Sequence, residues 1–333
     1  MDIDTVLSDV RAIIGDQRAL LYEKELATLP THREVLHAAI ARLPKEHTIL
    51  FVDNSIPLTD AEQAARSVVS KAQHAAHAIS ECTTPGNTNT AQRLKSMFGY
   101  EDESDPRAVV WHAPFETPVI SLDNVDAIIL SGSGAMVTSW ESTDWMQREM
   151  AVIREAVERK IPILGICFGH QIMAQALGGR VDWLTDVTGQ RFMEIGPTTA
   201  QLTEAGMSDP LFAGFDASFT VQATHSQEVV EIAPEAILLA TNEASPMQAL
   251  RYGTNPAWSL QNHPENSQIL MDIRIHEMEQ LLTERFEKLP KETAALLGYG
   301  SFSELVRRLE EMDTTAAKTQ IFANFINFVA DYR

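Results

Sequence analysis

Scarcity in this chain removes several classes of protein before any motif is considered. Only two cysteines, Cys82 and Cys167, occur in 333 residues, too few for a disulfide framework, so a lone cysteine is left to pack or to react. Basic residues are also few: 26 Lys and Arg face 46 Asp and Glu, a formal net charge of -20. That surface repels phosphate backbones and anionic lipid heads, and nucleic acid is not an expected partner. No apolar run is long enough to span a bilayer, and the N-terminal MDIDTVLSDV is acidic and broken by polar residues, unlike a signal peptide. The expected location is the cytoplasm, with no membrane partner. No internal repeat is present, and neither a P-loop nor a Ser-Gly-Gly-x-Asp-Ser pyrophosphatase loop occurs.

What is present is an ordinary globular balance, 44% hydrophobic and 22% charged, in a length that suits one elaborated core. Apolar residues at helical spacing (Val6, Val10, Ile13, Ile14, then Val35, Leu36, Ala39, Ile40) predict two helices divided near Pro30 and Thr31. Strands are expected at 47–54, 108–111, 125–130 and 163–166, where continuous apolar runs suit strands covered on both faces. Between them, helices are expected at 59–79 and 144–159, and 81–90 is a cluster of turn formers. The alternation implies a doubly wound, mostly parallel α/β sheet. Later short runs at 219–222, 236–240, 247–251 and 257–261 read as strands finishing that sheet.

The strongest chemical signal is Gly165-Ile166-Cys167-Phe168-Gly169-His170-Gln171, a buried strand running straight into a helix. Glycines two before and two after a cysteine allow the sharp strand-to-helix turn that exposes a nucleophile. A thiol there also feels the positive end of the helix dipole, which favours the thiolate. The competing reading is a buried structural cysteine. His263 supplies the base that such a nucleophile needs. It stands in Gln261-Asn262-His263-Pro264-Glu265, where residues two apart in extended backbone share a face, so that Glu265 can orient the imidazole.

These two motifs, about a hundred residues apart, resemble the class I (triad) glutamine amidotransferase family. The Gly-Ser-Gly at 132–134, in place of the usual Gly-Gly-Pro, together with the cysteine motif, resembles its stand-alone branch of GMP synthase-like glutaminases and γ-glutamyl peptidases. The resemblance implies a flavodoxin-like amidotransferase domain over 46–266, with a helical extension at 1–45 and a helical insertion plus final core helix over 267–333. It implies Cys167, His263 and Glu265 as a catalytic triad, and Phe168 and Ser133 as the backbone oxyanion donors. Gly132, Gln171, Thr224, His225, Ser226 and Gln227 would hold the substrate, with His225 weighed either as pocket wall or as a packing histidine.

The implied activity is that of a hydrolase and transferase: a glutaminase working through a γ-glutamyl thioester, with no cofactor and no metal. Glutamine or a γ-glutamyl small molecule would be its substrate, and ammonia would pass to a separate synthase subunit. The alternatives are a free-standing γ-glutamyl peptide or amide hydrolase, and a catalytically silent binding or regulatory protein on the same fold. Association into a homo-oligomer is left open. Apolar residues over 267–312 recur at helical spacing and predict two or three amphipathic helices, broken near Pro290 and the glycines at 298 and 300. These helices are expected to pack on the core, and their start beside Glu265 also suits a lid or docking surface.

Overall fold

The computed structural model describes residues 34–56, 94–95, 97–100, 102, 104–117, 121–266, 268–312 and 314–332. The expected first N-terminal helix, the helix at 59–79, the turn cluster at 81–90 and Cys82 lie outside the described residues. Of the N-terminal extension, 34–40 is helical, and its Leu36 and Ala39 are buried.

The described residues form eleven strands. The first four are β1 (Ile49–Asp53), β2 (Ala108–His112), β3 (Ala127–Leu130) and β4 (Ile163–Ile166). The rest are β5 (Arg180–Trp183), β6 (Glu194–Leu202), β7 (Ser218–His225), β8 (Gln227–Glu231), β9 (Ala236–Thr241), β10 (Ala249–Tyr252) and β11 (Ala257–Leu260). Nine of them make one sheet in the order β2-β1-β3-β4-β11-β10-β9-β6-β7, and β5 pairs with β8 apart from it. The half from β2 to β11 is parallel. The half from β10 to β7 is antiparallel.

Period-two alternation divides the core between two faces. Ile49 and Phe51 face one apolar cluster, which also holds Leu260, Phe322 and Phe325, whereas Leu50 and Val52 face another built with Met150, Ile153 and Ile172. Helices α1 (Asp144–Glu158) and α2 (Phe168–Ala176) cover the second face. After the short α3 (Glu204–Met207) come α4 (Gln268–Glu277), α5 (Glu279–Phe286), α6 (Lys291–Leu297), α7 (Phe302–Glu311) and α8 (Thr315–Asp331). Helix α8 covers the first face with Ile321, Phe322, Phe325 and Ile326, all buried.

Two expectations are corrected here. The 267–312 segment contains four helices, not two or three, because the chain also breaks at Met278, between α4 and α5. Strands β5, β6 and β8 escape the expected pattern, and in β6 the reason is chemical: Gly196 and Pro197 interrupt the run. The helices α4 to α7 form a third apolar cluster in which Met271, Ile275, Tyr299, Leu305 and Leu309 pack on Leu184, Phe192 and Ile195. Among the described residues no helix is long and apolar enough to cross a membrane.

Candidate active site

Strand β4 ends at Ile166 and helix α2 begins at Phe168, so Cys167 alone makes the turn. It does so at φ 51 and ψ -100, positive for a residue with a side chain, a conformation that costs free energy and clusters at functional sites. The flanking glycines are needed for close approach. A Cβ on Gly165 would lie 2.6 Å from the Gly169 carbonyl oxygen, and one on Gly169 would lie 2.7 Å from that of Leu130, so larger residues would push strand, elbow and helix apart. Phe168 stands in the first turn of α2, where the helix offers its N–H no acceptor. The thiol therefore sits at the positive end of a helix with a backbone donor beside it. The Cys167 N–H itself donates to the Leu260 carbonyl at 2.7 Å, tying the elbow to the end of β11.

The chain past β11 brings His263 to this elbow. Its N–H donates to the Gln222 carbonyl of β7 at 2.8 Å, and its Nδ1 donates to Glu265 Oε1 at 2.7 Å. All three side chains are buried, with Cys167 5% exposed, His263 8% and Glu265 1%. Burial alone would depress the His263 pKa. The negative charge of a Cys167 thiolate, then that of Glu265, and hydrogen bonds to both outweigh it and lift the value to about 10. The arrangement sets an imidazole that holds its proton beside the Cys167 sulfur, with a carboxylate behind it, which is the geometry of a sulfur nucleophile paired with its acid–base partner.

Gly132, two residues past β3, closes over this pair. A Cβ there would meet His263 Cε1 at 2.9 Å and the Cys167 Cβ at 3.6 Å. Ser133 follows, its Oγ accepting from the Ala135 N–H at 3.0 Å, so the side chain is turned back into its own loop.

The opposite wall comes from the end of β7. The Thr224 carbonyl faces Cys167 Sγ at 3.7 Å, and Thr224 Oγ1 meets Met271 Sδ of α4 at 3.6 Å. His225 presents no free ring nitrogen. Nε2 pairs with Glu194 Oε2 at 2.8 Å, and Nδ1 donates to the Gln227 carbonyl at 3.0 Å. It shapes the wall from behind and is not a second base. Gln171, expected to touch substrate, spends its Nε2 on the Gln227 carbonyl at 2.7 Å and on Gln261 Oε1 at 3.1 Å. Gln227 in turn donates to Thr138 Oγ1 at 2.6 Å, and the Ser226 carbonyl receives the Leu184 N–H at 2.9 Å. These residues form one braced surface.

Sequence reasoning does not reach the pairings of these braces. Thr138 carries no motif of its own, and Gln261 opens the Gln261-Asn262-His263-Pro264-Glu265 motif with no sign of its partner Gln171. Glu194 reveals its partner only through the β6–β7 register, which sets it opposite His225. His170 is another buried imidazole. Burial and the neighbouring His225 lower its pKa to about 3, and it meets Ser259 Oγ at 2.7 Å, so it is neutral packing. Among the described residues no group of three or more His, Cys, Asp or Glu is placed to hold a metal ion.

Comparison with known proteins shows the family of the chain. The glutamine amidotransferase class-I family model matches residues 100–281. One of the glutamine-hydrolyzing GMP synthase subunits, that of Methanosarcina acetivorans, is 31% identical over 176 residues, covering 52% of this chain and 80% of that one. Its namesake from Methanopyrus kandleri is 30% identical over 133 residues, covering 40% and 66%. Gamma-glutamyl peptidase 5 of Arabidopsis thaliana is 30% identical over 155 residues, covering 46% and 59%. The chain thus spans less than two thirds of the last two. Among solved structures, a glutamine amidotransferase of Thermotoga maritima aligns over 85% of this chain and 99% of its own, with TM-score 0.54 at 17% identity, a likeness of fold. One from Methylobacillus flagellatus aligns over 86% and 94%, with TM-score 0.53 at 15% identity. With more than half of the chain inside the family model, and a cysteine elbow facing a His–Glu pair within it, the protein belongs to the class-I glutamine amidotransferases, a family of cysteine-dependent amidohydrolases.

Proposed function

We propose that this chain hydrolyses the side-chain amide of glutamine through Cys167, His263 and Glu265. The observation that carries the reading is the buried hydrogen-bonded set of thiol, imidazole and carboxylate at the turn from β4 into α2. The Cys167 thiolate adds to the amide carbon, and the resulting oxyanion is met by the N–H groups of Phe168 and Ser133, each worth roughly 3 kcal/mol in sites of this kind. The His263 imidazolium passes its proton to the leaving nitrogen, ammonia departs, and a γ-glutamyl thioester remains on Sγ. Water then adds to the thioester carbon as His263 takes its proton, and glutamate leaves with the thiolate restored. Glu265 holds the imidazole tautomer throughout.

Gly132 and the 224–227 wall, backed by Gln171, are the surfaces offered to the glutamate end of the substrate. In this reading the amidotransferase unit runs from 46 to 266, and the segments at 1–45 and 267–333 are additions to it. Relatives named as GMP synthase subunits favour ammonia passing to a separate synthase, and the peptidase relative favours a γ-glutamyl peptide as an alternative substrate. Incubating the purified chain with glutamine and with γ-glutamyl dipeptides, while following ammonia and glutamate, separates the two. Ammonia from glutamine supports the first, preferential peptide cleavage supports the second, and neither product from either substrate overturns the reading.

A further inference from the structure

Strand β6 is paired with β7 along its length, from Glu194 opposite His225 to Gln201 opposite Ser218. On its other edge β9 reaches only Gln201 and Leu202. Near Glu194, therefore, β6 is an open edge, and among the described residues no strand covers it there. The residues whose N–H and C=O groups point away from β7 recur every second position, and at two of them the 267–312 segment supplies the partner. Ile195 N–H donates to the Tyr299 hydroxyl at 3.1 Å, and the same hydroxyl donates to the Ile195 carbonyl at 2.7 Å. Two residues on, Arg308 Nε donates to the Pro197 carbonyl at 2.8 Å. A hydroxyl is able to accept and donate at once, so a single Tyr299 oxygen does for Ile195 what a neighbouring strand would do.

The position is consequential because of what stands beside it. Glu194 precedes Ile195, holds His225 through Oε2 and accepts from Asn242 Nδ2 at 2.7 Å through Oε1. His225 fixes the Gln227 carbonyl, and Thr224, one residue earlier, faces Cys167 Sγ. We propose that Tyr299 is a positioning residue for the substrate: by closing the open edge of β6 at Ile195 it holds the Glu194–His225 pair, and through that pair the 224–227 wall, at a set distance from Cys167. The added helices then complete the binding wall from within the chain. The proposal rests on the function proposed above.

The test is Tyr299→Phe in the full chain, which removes one oxygen and keeps the ring among its apolar neighbours. KM for glutamine should rise at least fivefold while kcat stays within about twofold. The pH profile of Cys167 alkylation by iodoacetamide, which needs the thiolate but no wall, should be unchanged. Leu309→Ala, in the same apolar cluster, is the control: it should lower Tm without changing KM. An unchanged KM in Tyr299→Phe, or the same rise in Leu309→Ala, overturns the positioning role and leaves the triad reading standing. A wild-type chain that releases nothing from glutamine or γ-glutamyl peptides sinks both. Should Tyr299→Phe not fold, Arg308→Met carries the test, since it removes the donor that closes the same edge of β6 at the Pro197 carbonyl. There a raised KM with the alkylation profile kept supports the closing of that edge as what holds the wall, and an unchanged KM overturns it.

Discussion

His263 Nδ1 donates a 2.7 Å hydrogen bond to Glu265 Oε1 across the single intervening Pro264. The two residues do not share a face of extended backbone, as the spacing alone suggests: Pro264 and Glu265 form a turn closed by the Asn266 N–H, which donates to the His263 carbonyl at 3.2 Å, and the fixed φ of proline in that turn leaves imidazole and carboxylate little freedom between them. Glu265→Gln should therefore keep the fold and lower kcat by about 100-fold or more, because an amide neither fixes the imidazole tautomer nor stabilises the imidazolium. His263→Ala should be at least as severe. Steady-state kinetics beside thermal melts check both, and wild-type turnover in Glu265→Gln with a dead His263→Ala would reduce the triad to a cysteine–histidine pair.

The position of Cys167 predicts selective chemistry. A glutamine-like electrophile at neutral pH should label Cys167 and leave Cys82 unmodified, and Cys167→Ser should abolish turnover, since Cys167 combines a helix N-terminus with an imidazole partner. Mass spectrometry of the labelled peptides reads the outcome. Equal labelling of the two cysteines would overturn the assignment.

Gly132 has no room for a side chain. Because a Cβ there would come within 2.9 Å of His263 Cε1, Gly132→Ala should push the imidazole off its line to the thiol and lower kcat/KM by about 10- to 100-fold, the size of effect expected when a reacting group moves by an ångström. The melting temperature should change little. Kinetics equal to wild type would show that the loop moves aside freely.

Glu149 gives a pH-dependent prediction away from the thiol. It is fully buried, accepts from Asn54 Nδ2 at 3.0 Å, and burial lifts its pKa from 4.5 to about 8, with the Asn54 bond working in the opposite direction. A folded-state pKa above the unfolded one means that the contribution to stability is fully present below about 4.5 and is lost as pH rises through about 8. Glu149→Gln keeps an acceptor for Asn54 and has no proton to lose. It should match wild type near pH 4.5 and exceed its Tm at pH 9 by about 3 °C or more. A Tm difference that does not grow with pH would mean that Glu149 stays ionised in the folded protein.

The parts of this protein that are legible in its sequence are those where one local pattern fixes the structure. The run Ile163-Leu164-Gly165-Ile166 gives β4 to the residue, since four apolar residues between Pro162 and the cysteine have no amphipathic alternative. Cys167 and His263 are readable because glycine spacing and the Pro264 step dictate backbone shape. Glu149 is readable in principle as an acid on the apolar stripe of α1, between Met146 and Ile153. By contrast, β6 is hidden by Gly196 and Pro197, and its strand is imposed by register with β7 and by partners about a hundred residues away. The braces of the wall, such as Gln171 to Gln261 and Gln227 to Thr138, are pairings of polar residues that periodicity cannot encode. Tyr299 has no signal either, because its role depends on an open strand edge that exists only once the sheet is assembled.

Three contacts at the site join three strand ends in a closed figure. Cys167 N–H reaches the end of β11 at Leu260, the chain beyond β11 reaches β7 through His263 N–H and the Gln222 carbonyl, and β7 returns to the Cys167 sulfur through the Thr224 carbonyl. A triangle is the simplest figure that cannot shear without stretching a side. Nucleophile, base and wall are therefore not three independently adjustable parts: displacing any one corner strains the other two, and damage at one corner leaves less for a second lesion to remove.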